Sequence, residues 1–194
     1  ALGMSYAGKR ALVCMKHVGM NVAADAFVNS GITGINGGLV VLAADDPSMH
    51  SSQNEQDSRF YGKFAMVPVL EPSTQQEAYD MMKYAYSLSE EVKLPVLLRV
   101  VTRLAHSRAG VVTAESVQQN PLNPSDERGN WVLLPANARR QYASLIEKQN
   151  QLQSSSENSP FNICRAIENP KIGIIACGIA YNYVMENSPA DLGI

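Results

Sequence analysis

The sequence predicts an α/β domain with a mostly parallel sheet and helices on both faces. Short apolar runs recur at residues 11–15, 39–43, 64–69 and 95–101, and such runs are typical of strands buried on both faces. Segments with apolar residues at helical spacing separate them, and this alternation favours parallel strands joined by helical crossovers. Polar residues gather where the runs end, which is where ligands bind in open α/β sheets.

Length and composition narrow the class of protein. The 194 residues fit one ordinary domain, or one domain and the start of another. The net charge is −2 and the 16 Lys and Arg residues are scattered, so we expect neither nucleic acid nor a membrane surface as a partner. The three cysteines share no C-x-x-C spacing, which argues against a metal or disulfide framework and favours a reducing, cytoplasmic compartment. No apolar run is long enough for a membrane span.

The first elements can be assigned in chain order. Residues 1–8 have small residues at helical spacing and end in Gly8, which predicts the last turns of a helix that begins outside this chain. The first strand leads to His17, and residues 20–29 form an amphipathic helix that Ser30 and Gly31 end. A glycine-rich turn precedes the second strand.

A dense polar stretch from Asp45 to Arg59 follows the second strand. Burying so many polar groups without partners would cost several kcal/mol each, roughly, so the stretch is predicted to be a loop at the carboxyl edge of the sheet. Within it, residues 51–61 predict a short helix that Ser51 or Ser52 caps. The third strand, residues 64–69, is expected at the sheet edge because Pro68 has no N–H to donate.

The second half begins with the clearest helix start in the chain. Ser73 can cap this helix, Gln76 completes a capping box, and the apolar pattern continues to about Val92. After the fourth strand, residues 111–135 are irregular and predict an arm or linker, with the ring of Trp131 holding it in place. A helix at residues 136–153 and a flexible connector at 154–160 follow. A strand at 172–176 and a helix at 180–186 start a second domain.

Candidate functional residues follow three predicted strands. His17, His50 and His106 would meet at one edge of a parallel sheet and could move protons near neutral pH. Arg59 and Arg103 could hold a carboxylate bidentately. The alternative is that Arg59 pairs with nearby carboxylates on the surface and that Asp45 and Asp46 only form a turn. No Ser-His-Asp order, phosphate-binding loop or metal-ligand pattern is present, and no metal site is expected.

Several segments together resemble one family. They are the string Met-His-Ser-Ser-Gln-Asn-Glu-Gln-Asp-Ser-Arg at residues 49–59 and the segments at residues 15–25, 37–48, 71–73, 94–103, 106–107, 134–136 and 173–183. In these segments the chain resembles the alpha subunit of indolepyruvate:ferredoxin oxidoreductase, a thiamine-diphosphate-dependent 2-oxoacid:ferredoxin oxidoreductase. By this resemblance residues 1–110 form a truncated pyrimidine-binding domain, residues 111–160 an arm, helix and linker, and residues 161–194 the start of a transketolase-C-terminal-like domain.

The resemblance implies the oxidative decarboxylation of an aryl 2-oxoacid to an acyl-CoA. It implies thiamine diphosphate as cofactor, coenzyme A and ferredoxin as partners, a beta subunit and a homo-oligomer. It also implies substrate contacts from Arg59, Arg103 and His17, and catalytic contacts from His50 and His106. The residues expected to contact the cofactor are Asp46, Ser51, Gln53 and Asn54.

Departures from the family pattern limit what this chain can do alone. The glutamate that contacts the cofactor ring is expected before Ala1, and Mg²⁺ is expected to be held by a region outside this chain. The chain also has no cysteine cluster for the [4Fe-4S] clusters of the whole protein. We therefore expect this chain to be inactive by itself. Two alternatives are a pyruvate or 2-oxoglutarate type of the same enzyme class and a non-catalytic α/β binding or assembly module.

Overall fold

The sheet consists of four strands, and every pairing is parallel. A computed structural model describes residues 1–165 and 172–187 and places the strands in the order β1-β2-β4-β3. The predicted α/β class with a parallel sheet is therefore confirmed. The strands are β1 (Ala11–Lys16), β2 (Leu39–Asp45), β3 (Val69–Leu70) and β4 (Val96–Val101).

The register places the carboxyl ends of three strands side by side. Lys16 at the end of β1 pairs with Ala44, and Asp45 at the end of β2 pairs with Val101 at the end of β4. All six residues of β4 are buried, so both faces of the sheet centre are covered. On β1, by contrast, Leu12 and Cys14 are exposed on one face of an edge strand.

Helices connect the strands and pack against the central pair. The longest before residue 100 is α5, which packs on β2 and β4 and contributes Met81, Ala85 and Leu88 to the core. The helices are α1 (Leu2–Tyr6), α2 (His17–Val22), α3 (Ala24–Thr33), α4 (Arg59–Ala65), α5 (Gln75–Val92), α6 (Thr102–Ala105), α7 (Pro135–Glu157) and α8 (Ile179–Asn187).

The helix predicted at residues 20–29 is two helices, and both of its boundaries were wrong. The first begins at His17, directly after β1, and the second continues past Gly31 to Thr33. Gly34, with φ 70°, ends the second helix. Gly31 instead allows close packing, because a Cβ there would lie 2.8 Å from the Ala65 carbonyl oxygen.

The helix predicted at 51–61 and the strand predicted at 64–69 were also misplaced. Helix α4 begins only at Arg59, after the polar loop, and Met66 ends it in the left-handed conformation at φ 59°. The strand is therefore reduced to Val69–Leu70, which lies at the sheet edge as predicted. Two polar side chains of this segment make long-range contacts that a local pattern does not reveal: Ser52 contacts Lys16, and Asp57 lies 3.6 Å from Arg99.

The predicted start of α5 is correct to within one residue. Thr74, rather than Ser73, is the N-cap, and its Oγ1 accepts a hydrogen bond of 3.1 Å from the backbone N–H of Glu77. The Glu77 carboxylate in turn accepts from the backbone N–H and the hydroxyl of Ser73, the residue before the N-cap, so Thr74 and Glu77 replace the predicted pair Ser73 and Gln76. The helix ends at Val92, as predicted.

The arm packs on the domain. Trp131 stacks on Tyr6 with ring centroids 4.3 Å apart, and the Asn123 backbone N–H donates to the Ala7 carbonyl at 2.9 Å. Helix α7 runs to Glu157, so the predicted connector at 154–160 begins inside a helix.

The predicted strand at 172–176 is absent, whereas the helix predicted after it is present as α8. Residues 166–171 and 188–194, which belong to the predicted start of a second domain, lie outside the described part of the chain.

Candidate functional site

A buried ionic cluster lies at the carboxyl edge of the sheet. Arg99 on β4 donates from Nε to the Asp45 carboxylate on β2 at 2.5 Å and from a terminal nitrogen to Glu71, and Asp57 lies 3.6 Å away. The Arg99 side chain is 7% exposed and that of Asp45 is 0% exposed. A guanidinium at this depth requires carboxylate partners, because an unpaired buried charge is strongly destabilising.

The same cluster fixes where the polar loop ends. The Asp45 carboxylate accepts hydrogen bonds from the Ser58 backbone N–H at 2.9 Å and from its hydroxyl at 2.5 Å. Ser58 precedes the first residue of α4. Asp45 therefore joins two neighbouring strands and the start of a helix at one point, and the predicted alternative of a simple turn former does not describe it.

Arg59 is held by carboxylates of its own chain. Its Nε and one terminal nitrogen donate to Asp57 at 2.6–3.0 Å, and Glu71 lies 3.6 Å from the other terminal nitrogen. The hydrogen bond from Arg59 lowers the pKa of Asp57, and the same bond raises the pKa of Arg59. A substrate carboxylate would have to compete with two built-in partners for this guanidinium.

Asp46 holds the loop from its base. Its carboxylate accepts from the Thr102 hydroxyl at 2.7 Å, the Ser52 hydroxyl at 2.7 Å, and the backbone N–H groups of Ser51 at 2.8 Å and His50 at 3.2 Å. These bonds, with that from Thr102 the strongest, lower the pKa of Asp46 well below its usual range. Asp46 thus connects the loop after β2 to the start of α6.

The end of β1 contacts the same loop. The Lys16 ammonium donates to the Ser51 carbonyl at 2.8 Å and to the Ser52 hydroxyl at 2.5 Å. The His17 ring is fully buried, and its Nε2 lies 3.1 Å from the Asn54 carbonyl oxygen. The ends of β1, β2 and β4 therefore meet at one loop, as the parallel arrangement predicted.

Two residues of this loop adopt unfavourable backbone conformations. Ser48 and Met49 have φ values of 66° and 53°, in the left-handed region that costs non-glycine residues about 1 kcal/mol or more each. The Ser48 N–H donates to the Glu55 carboxylate and the Met49 N–H to the Asp46 carbonyl, which holds the turn in place. Backbone outliers of this kind cluster at functional sites.

The candidate residues fall into an exposed group and a supporting group. His50, Ser51, Gln53, Asn54 and Arg59 on the loop and Arg103 and His106 on the α6 segment are exposed at this edge. Within residues 1–165 and 172–187, the imidazoles of His50 and His106 form no hydrogen bond, and Arg103 lies 5.6 Å from the centre of the Tyr183 ring.

His17 and Asp46 belong to the supporting group. His17 is buried beneath the loop, and the Asp46 carboxylate is occupied by internal donors. Both residues support the loop in this conformation. The substrate contact predicted for His17 and the cofactor contact predicted for Asp46 stay predictions.

Sequence reasoning missed Glu71, Arg99 and Thr102. Arg99 did give a signal, because an arginine inside the buried run Leu-Leu-Arg-Val-Val requires carboxylates from neighbouring strands. Glu71 and Thr102 gave no such signal, since their partners lie 28 and 56 residues away along the chain.

A cavity of about 780 Å³ lies beside the cluster. Arg59 and Glu71 line it together with apolar side chains such as Met81, Tyr84 and Phe161. The segment with α8 lies nearby, since the Asn182 amide donates to the Ser73 carbonyl at 2.8 Å. The charged cluster therefore borders an apolar space.

The described residues contain neither a group of side chains suited to a metal ion nor a helix suited to a membrane. Among residues 1–165 and 172–187, no three or more His, Cys, Asp or Glu side chains are grouped so that they could hold a metal ion. In the same part of the chain, no helix combines the length and the apolar character that crossing a membrane requires.

Fold and site together define an α/β domain with a parallel sheet and a polar loop at its carboxyl edge, the place where such sheets bind ligands. The chain is 46% identical over 192 residues to the indolepyruvate oxidoreductase subunit IorA of Thermococcus kodakarensis and 47% identical over 192 residues to that of Pyrococcus abyssi. It is 45% identical over 193 residues to that of Archaeoglobus fulgidus. No family model matches the chain.

The chain corresponds to a segment of these IorA subunits. Each alignment covers 96% of this chain, and the chain spans about 30% of the length of these relatives. The predicted resemblance to an indolepyruvate oxidoreductase subunit is thereby confirmed.

Proposed function

We propose that the chain forms the substrate-facing edge of a thiamine-diphosphate-dependent indolepyruvate:ferredoxin oxidoreductase. The names of the relatives, indolepyruvate oxidoreductase subunits, support the class of enzyme and the substrate. In this proposal the whole protein decarboxylates an aryl 2-oxoacid oxidatively to an acyl-CoA and passes electrons to ferredoxin. The word "subunit" in those names supports a complex, which we propose contains a beta subunit and more than one copy of this chain.

The exposed position of Arg103 at the sheet edge is the observation that carries the proposal. Arg103 lies two residues after β4, at the centre of the sheet edge, and its side chain is exposed. Arg59 has Asp57 and Glu71 as partners, whereas Arg103 has no ion-pair partner within residues 1–165 and 172–187. A free guanidinium binds a carboxylate bidentately. Arg103 is therefore the better candidate for the 2-oxoacid carboxylate, and Arg59 a candidate for a role in the cluster.

His50 and His106 are proposed to carry protons at this edge. His50 lies on the loop that Asp46 holds, and His106 follows α6, whose first residue Thr102 bonds to the same Asp46. One carboxylate therefore fixes the segments that present both imidazoles. Imidazole is the side chain that exchanges protons most readily near neutral pH.

The loop fits the ring of thiamine diphosphate better than its diphosphate. The amides of Gln53 and Asn54 are exposed and can both donate and accept hydrogen bonds, as an aminopyrimidine ring requires. The Asp46 carboxylate is already occupied, and these residues carry no positive charge for a diphosphate. When bound, thiamine diphosphate supplies the nucleophilic carbon at which a 2-oxoacid loses carbon dioxide.

The test uses the full-length protein assembled with its partner subunit. We expect thiamine-diphosphate-dependent dye reduction with indolepyruvate and coenzyme A, and little with pyruvate or 2-oxoglutarate. Arg103→Gln should raise KM for indolepyruvate about tenfold or more, because a charge-assisted hydrogen bond contributes about 1.5–3 kcal/mol. Arg108→Gln, which changes an exposed arginine on the same segment, is the matched control and should leave KM unchanged.

Three results would contradict parts of this proposal. An unchanged KM in Arg103→Gln together with a raised KM in Arg59→Gln would return the carboxylate contact to Arg59. Efficient reduction with pyruvate or 2-oxoglutarate would favour the other types of the same class. No reduction with any 2-oxoacid and no cofactor binding would favour a non-catalytic module.

A further inference from the structure

A second cavity lies at the opposite, amino edge of the sheet. Its volume is about 850 Å³, and its walls come from the end of α3, the residues between α5 and β4, the 3-10 turn at Arg128–Trp131 and the first half of α7. Neither the candidate site nor the proposed reaction involves it. The cavity is therefore available for a separate function.

Three cations line this cavity, and they lack acidic partners. Lys93, Arg140 and Lys148 form no ion pair within the described residues, and Glu127 is the one carboxylate among the described lining residues. The Glu127 carboxylate accepts from the Asn130 amide at 2.7 Å. Burial, and repulsion by the charge of Lys93, lower the pKa of Lys148, so the fold holds these ammonium groups at a cost.

Contacts to backbone carbonyls use only some of the hydrogen-bond donors of these three cations. Lys148 donates at 2.9 Å to the carbonyl of Val92, the last residue of α5, and cations are favoured at helix C-termini. Lys93 donates at 3.1 Å to the carbonyl of Asn36, in the turn before β2. Each ammonium has three donors, however, and each uses one here. Among residues 1–165 and 172–187, Arg140 donates only to the Asn130 side chain, at 3.1 Å, and this bond uses one of its five donors.

An unpartnered acceptor lines the same cavity. The Gln141 Oε1 atom is buried and has no hydrogen-bond partner in the part of the chain that the structure describes, although the Nε2 of the same amide donates to the Asn130 carbonyl. A buried acceptor without a donor is unfavourable, so a ligand with a donor group would remove this penalty. The lining therefore offers several free donors to an anion and one free acceptor to a hydroxyl.

We propose that this cavity binds a small phosphate monoester that carries a hydroxyl group. Lys93, Arg140 and Lys148 bind the phosphate, whose three oxygens accept several hydrogen bonds and whose charge is close to −2 at neutral pH. Gln141 accepts from the ligand hydroxyl. A carboxylate has fewer acceptor oxygens and less charge, and it matches three cations less well.

Glycerol 1-phosphate is the probe, titrated calorimetrically into the full-length protein at constant ionic strength. We expect one saturable site that Arg140→Gln and Lys148→Gln each weaken tenfold or more. Lys83→Gln, which removes an exposed lysine on α5 outside the cavity, should leave the affinity unchanged. Gln141→Leu should weaken glycerol 1-phosphate but leave inorganic phosphate binding unaltered.

Absence of a saturable site, or equal weakening by Lys83→Gln, would overturn the proposal. The Lys148 change could disturb α5 through its bond to Val92. The exposed Arg140 avoids this problem, and an unchanged affinity in a folded Arg140→Gln variant would also overturn the proposal. Indolepyruvate-dependent dye reduction is measured in parallel. It tests the proposed function and not the phosphate site, so either proposal can fail without the other.

Discussion

The two edges of the sheet are stabilised in different ways. At the carboxyl edge, Arg99 and Asp45 form an ion pair whose side chains are 7% and 0% exposed. At the amino edge, Arg10 and Glu90 form an ion pair in which both side chains are 23% exposed. Removal of one partner leaves a buried charge unpaired at the first edge, whereas solvent can hydrate the remaining charge at the second.

The two ion pairs hold different segments of the chain. The buried pair positions a loop whose backbone is partly strained and whose outer side chains are free for a ligand. The half-exposed pair holds the arm, since Asn120 donates to Glu90 at 2.6 Å and Gln119 accepts from the Arg10 backbone N–H at 3.0 Å. The carboxyl edge is therefore expected to be rigid and the arm to open at lower free energy.

The largest effect is expected for Arg99→Met. The substitution leaves Asp45 without its cation and leaves Glu71 with only the more distant Arg59, 3.6 Å away, which should lower the free energy of opening of β4 by about 3–5 kcal/mol. Hydrogen exchange of the β4 amides in the full-length protein measures this free energy. Adding Asp45→Asn to the Arg99→Met variant should restore part of the lost free energy, because it removes the unpaired carboxylate. A loss below about 1 kcal/mol in Arg99→Met would show that the buried ion pair does not stabilise this edge.

An intermediate effect is expected for Asp46→Asn, confined to the loop. Asparagine keeps the shape but loses the charge that accepts from four donors, so hydrogen exchange at residues 47–57 should accelerate. Glu55→Gln, in the same loop, affects one contact to Ser48 and serves as the control with a smaller effect. Similar exchange in the Asp46 variant and the unmodified protein would refute the role of Asp46.

The loop should also depend on pH through Asp46. The pKa of this carboxylate is lowered in the folded protein, so its contribution is complete above the unfolded value of about 4 and is lost as the pH falls below it. Loop exchange, corrected for the intrinsic effect of pH, should therefore rise in acid, and Asp46→Asn should remove that rise.

The smallest effect is expected for Glu90→Gln, at the amino edge. Hydrogen bonding from Arg10 lowers the pKa of Glu90 to about 2, so the pair contributes above about pH 4.3 and loses its contribution as the pH falls towards 2. An exposed pair contributes about 1 kcal/mol or less. Hydrogen exchange at residues 113–127 should increase slightly, and Glu91→Gln, which changes an exposed neighbour, should have no effect.

The sequence revealed the strands that have strong apolar runs. It misplaced the ends of the third strand, because those ends depend on long-range contacts. The run that became β4 was found because burial on both faces leaves a continuous apolar signal. The third strand was overextended because Phe64 and Ala65 look like strand residues but complete α4, which packs on α3. Local propensity cannot show which of two neighbouring elements a shared apolar residue joins.

The candidate site shows the same limit. Apolar runs followed by polar residues located the loop and its edge, because parallel strands bring their carboxyl ends together. They could not show that Arg59 is paired with Asp57 and Glu71, or that Arg103 has no ion-pair partner among residues 1–165 and 172–187, because neither property is encoded within a few residues.

The sequence by itself therefore determined the fold class, the strand ends that meet and the family, since periodicity and identity are properties of the chain. The tertiary structure alone decided which charges are paired and which remain available. Asp46 meets Thr102 across 56 residues, and Lys148 meets Val92 across the same separation. Such contacts form only when packing brings distant segments together, because hydrogen bonds act over about 3 Å and carry no signature in the local sequence.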